Sequence, residues 1–170
     1  AQFQLIASMN PCPCGYAGSK VIHCRCHADQ IKRYLSKISG PLLDRIDMHV
    51  EVGRLPTEML TTADLPPSES SQQVKQRVLL AREKQLARQQ TINALLTVPQ
   101  LEAATQILPP ARDLLQQVMN KFHFSARVYN RLVKLALTIA DLEGVGVISE
   151  AHISEVLNYR CLDRATMYKI

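Results

Sequence analysis

The chain has 170 residues, 46% apolar and 21% charged, with a formal net charge of +5. That is enough apolar material for one ordinary domain or two small ones, and the charge balance excludes a disordered polyelectrolyte. No apolar run approaches the roughly 18 to 20 residues that a spanning helix needs, and no signal-peptide pattern opens the chain, so a cytoplasmic protein without a membrane partner is expected.

The chain begins at Ala1 inside the apolar run FQLIASM without an initiator Met, which reads as a piece of a longer protein. Residues 3–9, continuous and apolar until Asn10-Pro11, predict a buried strand. Residues 11–27 form a cysteine-rich insert in which Pro11, Pro13, Gly15 and Gly18 force turns. Ile31, Tyr34, Leu35 and Ile38 share a face, predicting a helix over about 28–38 that Gly40-Pro41 ends. The stretch Ile46–Val52 alternates strictly. It predicts a strand with Ile46, Met48, Val50 and Val52 on one side and Asp47, His49 and Glu51 on a wet face.

Gly53, Pro56, Pro66-Pro67 and the serines of 68–71 predict a linker. Helices follow over about 71–91, over about 99–106, and from Pro109-Pro110 to about 121. Ser125 caps another, with Val128, Leu132, Leu135, Ile139 and Leu142 as its core stripe, and Gly144 and Gly146 end it. Ser149 caps a last helix to about Tyr159.

Two Cys-x-Cys pairs, Cys12/Cys14 and Cys24/Cys26, stand nine residues apart. Soft thiolates from two short turns suit tetrahedral zinc in a closed structural site. His23 and His27 flank the second pair as substitute ligands, and the competing reading is free thiols in a turn-rich loop or a redox pair. With no secretory signal, a disulfide framework is disfavoured. Cys161, alone near a helix end, reads as a small apolar residue.

Arg45 sits where a helical turn meets a strand. Its planar fork suits phosphate oxygens, although from the spacing alone a surface arginine paired with Asp44 or Asp47 is the preferred reading. Asn10 ends the first strand, where α/β sheets bind ligands, or merely forms a turn. Arg127 lies in the first turn of a helix, where the dipole disfavours a cation and an anionic partner would serve. Arg77, Lys84 and Arg88 share a helix face that would suit a nucleic-acid backbone or simply face solvent. There is no G-x-x-x-x-G-K-[ST] phosphate loop and no H-E-x-x-H zinc motif.

Taken in order, MNPCPCG, CRC, SGPLLDRIDMHVEV and SARVYNRLVKLALTIADL closely resemble the carboxyl portion of the bacterial magnesium-chelatase-like AAA+ ATPases, within them the ComM (YifB) family. The resemblance covers nearly the whole chain. It implies a mainly α fold: a helical lid bundle over 71–170, a linker over 54–70, and before it, over 1–53, a truncated α/β AAA+ core remnant with the four-cysteine insert and one or two short strands. It also implies Asn10 as the sensor-1 residue that orients the attacking water, Arg45 as the arginine finger inserted into a neighbouring ATP site, and Arg127 as the sensor-2 arginine. ATP and Mg would be bound mostly upstream of Ala1, zinc by the four cysteines, and the partners would be further copies in a hexameric ring together with DNA. Such proteins are linked to branch migration of transforming DNA, and this chain alone is expected to be inactive. A magnesium-chelatase-type ATPase subunit and a stand-alone zinc-containing nucleic-acid-binding module are the competing readings.

Overall fold

A computed structural model describes residues 3–19, 21–53 and 68–160. The linker stretch 54–67 and the expectation for Cys161 lie outside the described residues. The fold is mainly α, with seven α-helices among the described residues and only isolated β-bridges. The chain divides at Arg45/Ile46 into two compact units.

In the first unit, residues 3–9 form no strand. Phe3 and Ile6 are 79% and 85% exposed, and no other described segment hydrogen-bonds to them as a strand must. The cysteine insert turns as its glycines predict: Gly15 (φ +82°) donates its N–H to the Cys12 carbonyl at 3.0 Å, a left-handed conformation that only glycine adopts cheaply. Helix α1 (Ala28–Leu35) starts at His27, whose N–H donates to the Gln30 Oε1 at 3.0 Å. The four residues expected on one face, Ile31, Tyr34, Leu35 and Ile38, are half-buried, but the helix ends at Ser36, so Ile38 lies beyond it. Gly40-Pro41 does not end α1. It opens a one-turn helix α2 (Gly40–Leu43), because proline's fixed φ and missing N–H suit the first turn of a helix.

The expected strand at 46–52 is reduced to one parallel bridge, His49 with Arg160. Burial does not follow the expected faces: Asp47 and Glu51 are exposed as expected, but His49 is buried, and on the apolar side Met48, Val50 and Val52 are exposed while Ile46 is only half-buried. Alternation establishes that two faces differ, but the neighbouring chain decides which is covered, and here it is the backbone of Tyr159, whose carbonyl accepts from the His49 N–H at 2.7 Å.

The second unit is a helical bundle. Helix α3 (Ser71–Gln89) is capped by Ser70, whose Oγ accepts from the Gln73 N–H, and it ends at Gln90 in the left-handed region. A 3-10 turn (Asn93–Leu95) leads to α4 (Val98–Ala104), with Pro99 in its first turn. Helix α5 (Pro109–Phe122) begins at proline, and α6 (Ala126–Glu143) runs from its Ser125 cap to Gly144 (φ +85°). Helix α7 (Glu150–Asn158) is capped by Ser149. Helix α6 packs against α3 and α7, and α5 closes over α7. Ile107, just before α5, pairs with Ile148, just before α7, in a second parallel bridge.

Leu101, Leu115, Leu132, Leu137, Ile153 and Val156 form the core. Truncating one such leucine to alanine costs about 2–5 kcal/mol. The buried face of α6 is Val128, Leu132, Val133, Ala136, Leu137, Ala140 and Asp141. The expected stripe therefore held at Val128 and Leu132, drifted to partial burial at Leu135 and Ile139, and failed at exposed Leu142. Small alanines at 136 and 140 let neighbouring helices approach that side. Among the described residues no helix is long and apolar enough to cross a membrane.

Candidate functional site

The cysteine loop has the most complete geometry. The Sγ atoms of Cys12, Cys14, Cys24 and Cys26 all lie within 4.8 Å of one another, and these cysteines are free thiols. Cys12 and Cys14 are 3.3 Å apart, Cys14 and Cys24 3.5 Å, and Cys12 and Cys24 3.7 Å. Four sulfurs at about 2.3 Å from one tetrahedral ion stand roughly 3.8 Å from each other, so the cluster fits a metal of that size. The flanking His23 and His27 are not in the group, and both are exposed.

Backbone donors prepare the thiolates, as the Ala17 N–H points at Cys12 Sγ at 3.3 Å. The N–H groups of Tyr16 and Arg25 pull the Cys14 thiol down to about 6. At Cys24 the Cys26 N–H pulls the same way, but burial and the thiols of Cys14 and Cys12 outweigh it and push Cys24 up to about 12. Like charges at this spacing resist ionising together, which is the property a divalent cation relieves.

Asn10 is exposed and lies over the loop: a Cβ placed at Gly15 would sit 3.9 Å from its Cγ. Arg45 follows α2 and the Asp44 cap, exposed to solvent. Its Nη1 donates to the Pro41 carbonyl at 2.7 Å, and it has no acidic partner among the described residues. Asp47 pairs with Arg131. Arg127 is exposed in the first turn of α6, beside Ser125, whose Oγ accepts from the Val128 N–H at 3.4 Å. Asn10 and Arg45 belong to the first unit and Arg127 to the second.

The basic stripe of α3 is largely committed within the fold. Arg77 pairs with Glu69, and Arg88 grips Asp141 with both arms, at 2.6 and 3.0 Å. Lys84 lies above Gly144, its Nζ 3.0 Å from where a Cβ would stand.

Sequence reasoning missed the network around Asp141. Asn93 Nδ2 donates to Asp141 Oδ2 at 2.8 Å and to Thr138 Oγ1 at 3.0 Å, while Arg88 also donates to Asn93 Oδ1. The signal was available: Asp141 follows Val133 and Leu137 at four-residue steps, and a carboxylate in register with a core stripe must find a partner. Also missed was the anchoring of residues 46–49. Arg160, 1% exposed, donates to the Ile46 carbonyl at 2.5 Å, and Arg131 pairs with Asp47.

Residues 68–160 match the family model for magnesium chelatase, subunit ChlI C-terminal, over more than half of the chain. The chain belongs to the magnesium chelatase ChlI family. Residues 1–60 match a second model, magnesium chelatase, subunit ChlI. Among curated proteins, the chain is 39% identical over 169 residues to the uncharacterized protein YifB of Escherichia coli, covering 99% of this chain and 33% of that protein. It is 42% identical over 166 residues to the competence protein ComM of Haemophilus influenzae, covering 96% and 32% respectively. The ChlI-family chain thus spans about a third of the length of the curated relatives it matches.

Proposed function

We propose that this chain is the sensor, arginine-finger and lid segment of a ring-forming AAA+ ATPase whose hydrolysis of ATP drives DNA branch migration. In this reading residues 1–53 descend from the AAA+ core, 54–70 link, and 71–170 form the lid. Asn10 orients the attacking water, Arg45 reaches the nucleotide of a neighbouring subunit, and Arg127 contacts nucleotide from the lid. The observation that carries the reading is Arg45, an exposed guanidinium steadied by one carbonyl and free of any acidic partner among the described residues. Phosphoryl transfer is accelerated by placing positive charge against the transferring group, and a fork-shaped cation does this bidentately. When the cation comes from the next subunit, hydrolysis requires head-to-tail assembly, which closes into a ring, here proposed as a hexamer.

The four cysteines would hold one structural zinc ion, with no open position for chemistry. It would cross-link two turns of a loop that buries little else, keeping the segment between Asn10 and Arg45 in one shape. Resemblance to a competence protein supports DNA as the partner of the whole protein. The family description equally names magnesium chelatase, and DNA stimulation of ATP hydrolysis separates the two readings.

The test is Arg45→Ala in the full-length protein. Assembly should persist while kcat falls about 1,000-fold, the low end of what an arginine finger supplies. An assembled variant with the parental kcat would remove Arg45 from the mechanism. The 170-residue chain, lacking a phosphate loop, should show no ATPase activity by itself and only weak, salt-sensitive DNA retention in a filter assay. Tight DNA binding by this chain alone would instead favour a stand-alone zinc module.

A further inference from the structure

Four contacts fasten the residues immediately after Arg45 to the helical unit. Arg160 donates to the Ile46 carbonyl at 2.5 Å, Arg131 pairs with the Asp47 carboxylate, and the His49 N–H donates to the Tyr159 carbonyl at 2.7 Å. His49 and Arg160 also form a parallel bridge. The two arginine contacts join residues 84 and 114 positions apart, so they are tertiary anchors and not consequences of local turns. The anchoring side chains are sheltered: Arg160 is 1% and His49 5% exposed, and the Arg131 side chain 23%.

Two facts turn this anchor toward function. Arg131 stands four residues after Arg127 on α6, one helical turn away on the same face. Asp47 stands two residues after Arg45, and two residues of fully extended chain reach about 7 Å at most. Whatever moves α6 therefore pulls on a backbone that cannot drift far from Arg45.

We propose that Asp47 and Arg131 are positioning residues, an ion pair that couples the helix bearing Arg127 to the backbone that aims Arg45. The inference rests on Arg45 acting as an arginine finger. A movement of the helix bearing Arg127 would then set the reach of the Arg45 guanidinium, so that the two arginines answer to nucleotide together. A pair in which the carboxylate is largely in water contributes little to folding, so its loss should leave the protein folded and change its rate.

The experiment uses the full-length protein and measures kcat, KM for ATP, thermal unfolding and assembly by sedimentation. Asp47→Asn and Arg131→Gln should each lower kcat about tenfold through misplacement of the finger, while KM stays within about twofold. Arg131→Lys should keep most of the rate, and the swapped pair, Asp47→Arg with Arg131→Asp, should recover a good part of what either single change loses. The swap also covers the case in which a single variant fails to assemble.

Parental kcat in assembled Asp47→Asn and Arg131→Gln, alongside an inactive Arg45→Ala, overturns the coupling and leaves the finger standing. A swapped pair that assembles but stays as slow as the single variants overturns the pairing. Parental kcat in Arg45→Ala removes the finger and the coupling together.

Discussion

From Pro11 to Leu35, Cys12 is the one fully buried apolar side chain among the described residues, and α1 has no buried residue at all. From Leu96 to Leu157, by contrast, a continuous apolar core joins α4, α5, α6 and α7. The first stretch has turns, backbone donors and four converging sulfurs. The second has close packing plus one saturated polar network. A short stretch that cannot remove enough apolar surface from water needs another source of stability, and the metal clasp proposed above would supply it. The two units should therefore fail under different insults.

The largest separation is expected on removing metal with a chelator or substituting Cys24→Ser. A structural zinc site contributes on the order of 10 kcal/mol to the fold it holds, so residues 11–35 should lose hydrogen-exchange protection completely while the melting of the helical unit is unmoved. Protection of the loop that survives in metal-free protein would show that the sulfurs are not its staple. Next comes Asp141→Ala, which strands Arg88 and Asn93 beside the core. Breaking such a pair costs about 3–5 kcal/mol, visible as a lower melting temperature of the helical unit with no change in hydrogen-exchange protection of residues 11–35. A change under about 1 kcal/mol would mean that water satisfies both partners. The smallest effect is expected at Gly144→Ala, where φ is +85° and the nearest atom is the flexible end of Lys84. The left-handed conformation should cost about 1 kcal/mol, measured by denaturant titration, again without touching the loop.

Legibility in the sequence followed the same division. Helices announced themselves where a local rule is strong. Ser125 and Ser149 cap, Pro109 opens α5, and Gly144 closes α6, whereas the Ser70 cap was hidden in a serine cluster that reads as linker. The sulfur cluster was legible from its two tight pairs, whose residue type and spacing suit convergence on one point. The segment 46–52 was not, since alternation fixes two faces without saying what lies against them, and the partner proved to be Tyr159 and Arg160, more than a hundred residues away. Arg88 was read as part of a solvated stripe because its partner Asp141 is fifty-three residues distant. Helix spacing identifies which side chains share a face, not which distant carboxylate will reach it.

The bridge between His49 and Arg160 has a consequence for how the helical unit can be handled. Residue 49, near its start, and residue 160, just past α7, are stitched together, so the two ends of its described helical stretch lie side by side. Such an arrangement tolerates circular permutation: joining the two sides at the stitch requires only a short splice, and opening the chain at a loop elsewhere leaves every helix beside the neighbours it packs against.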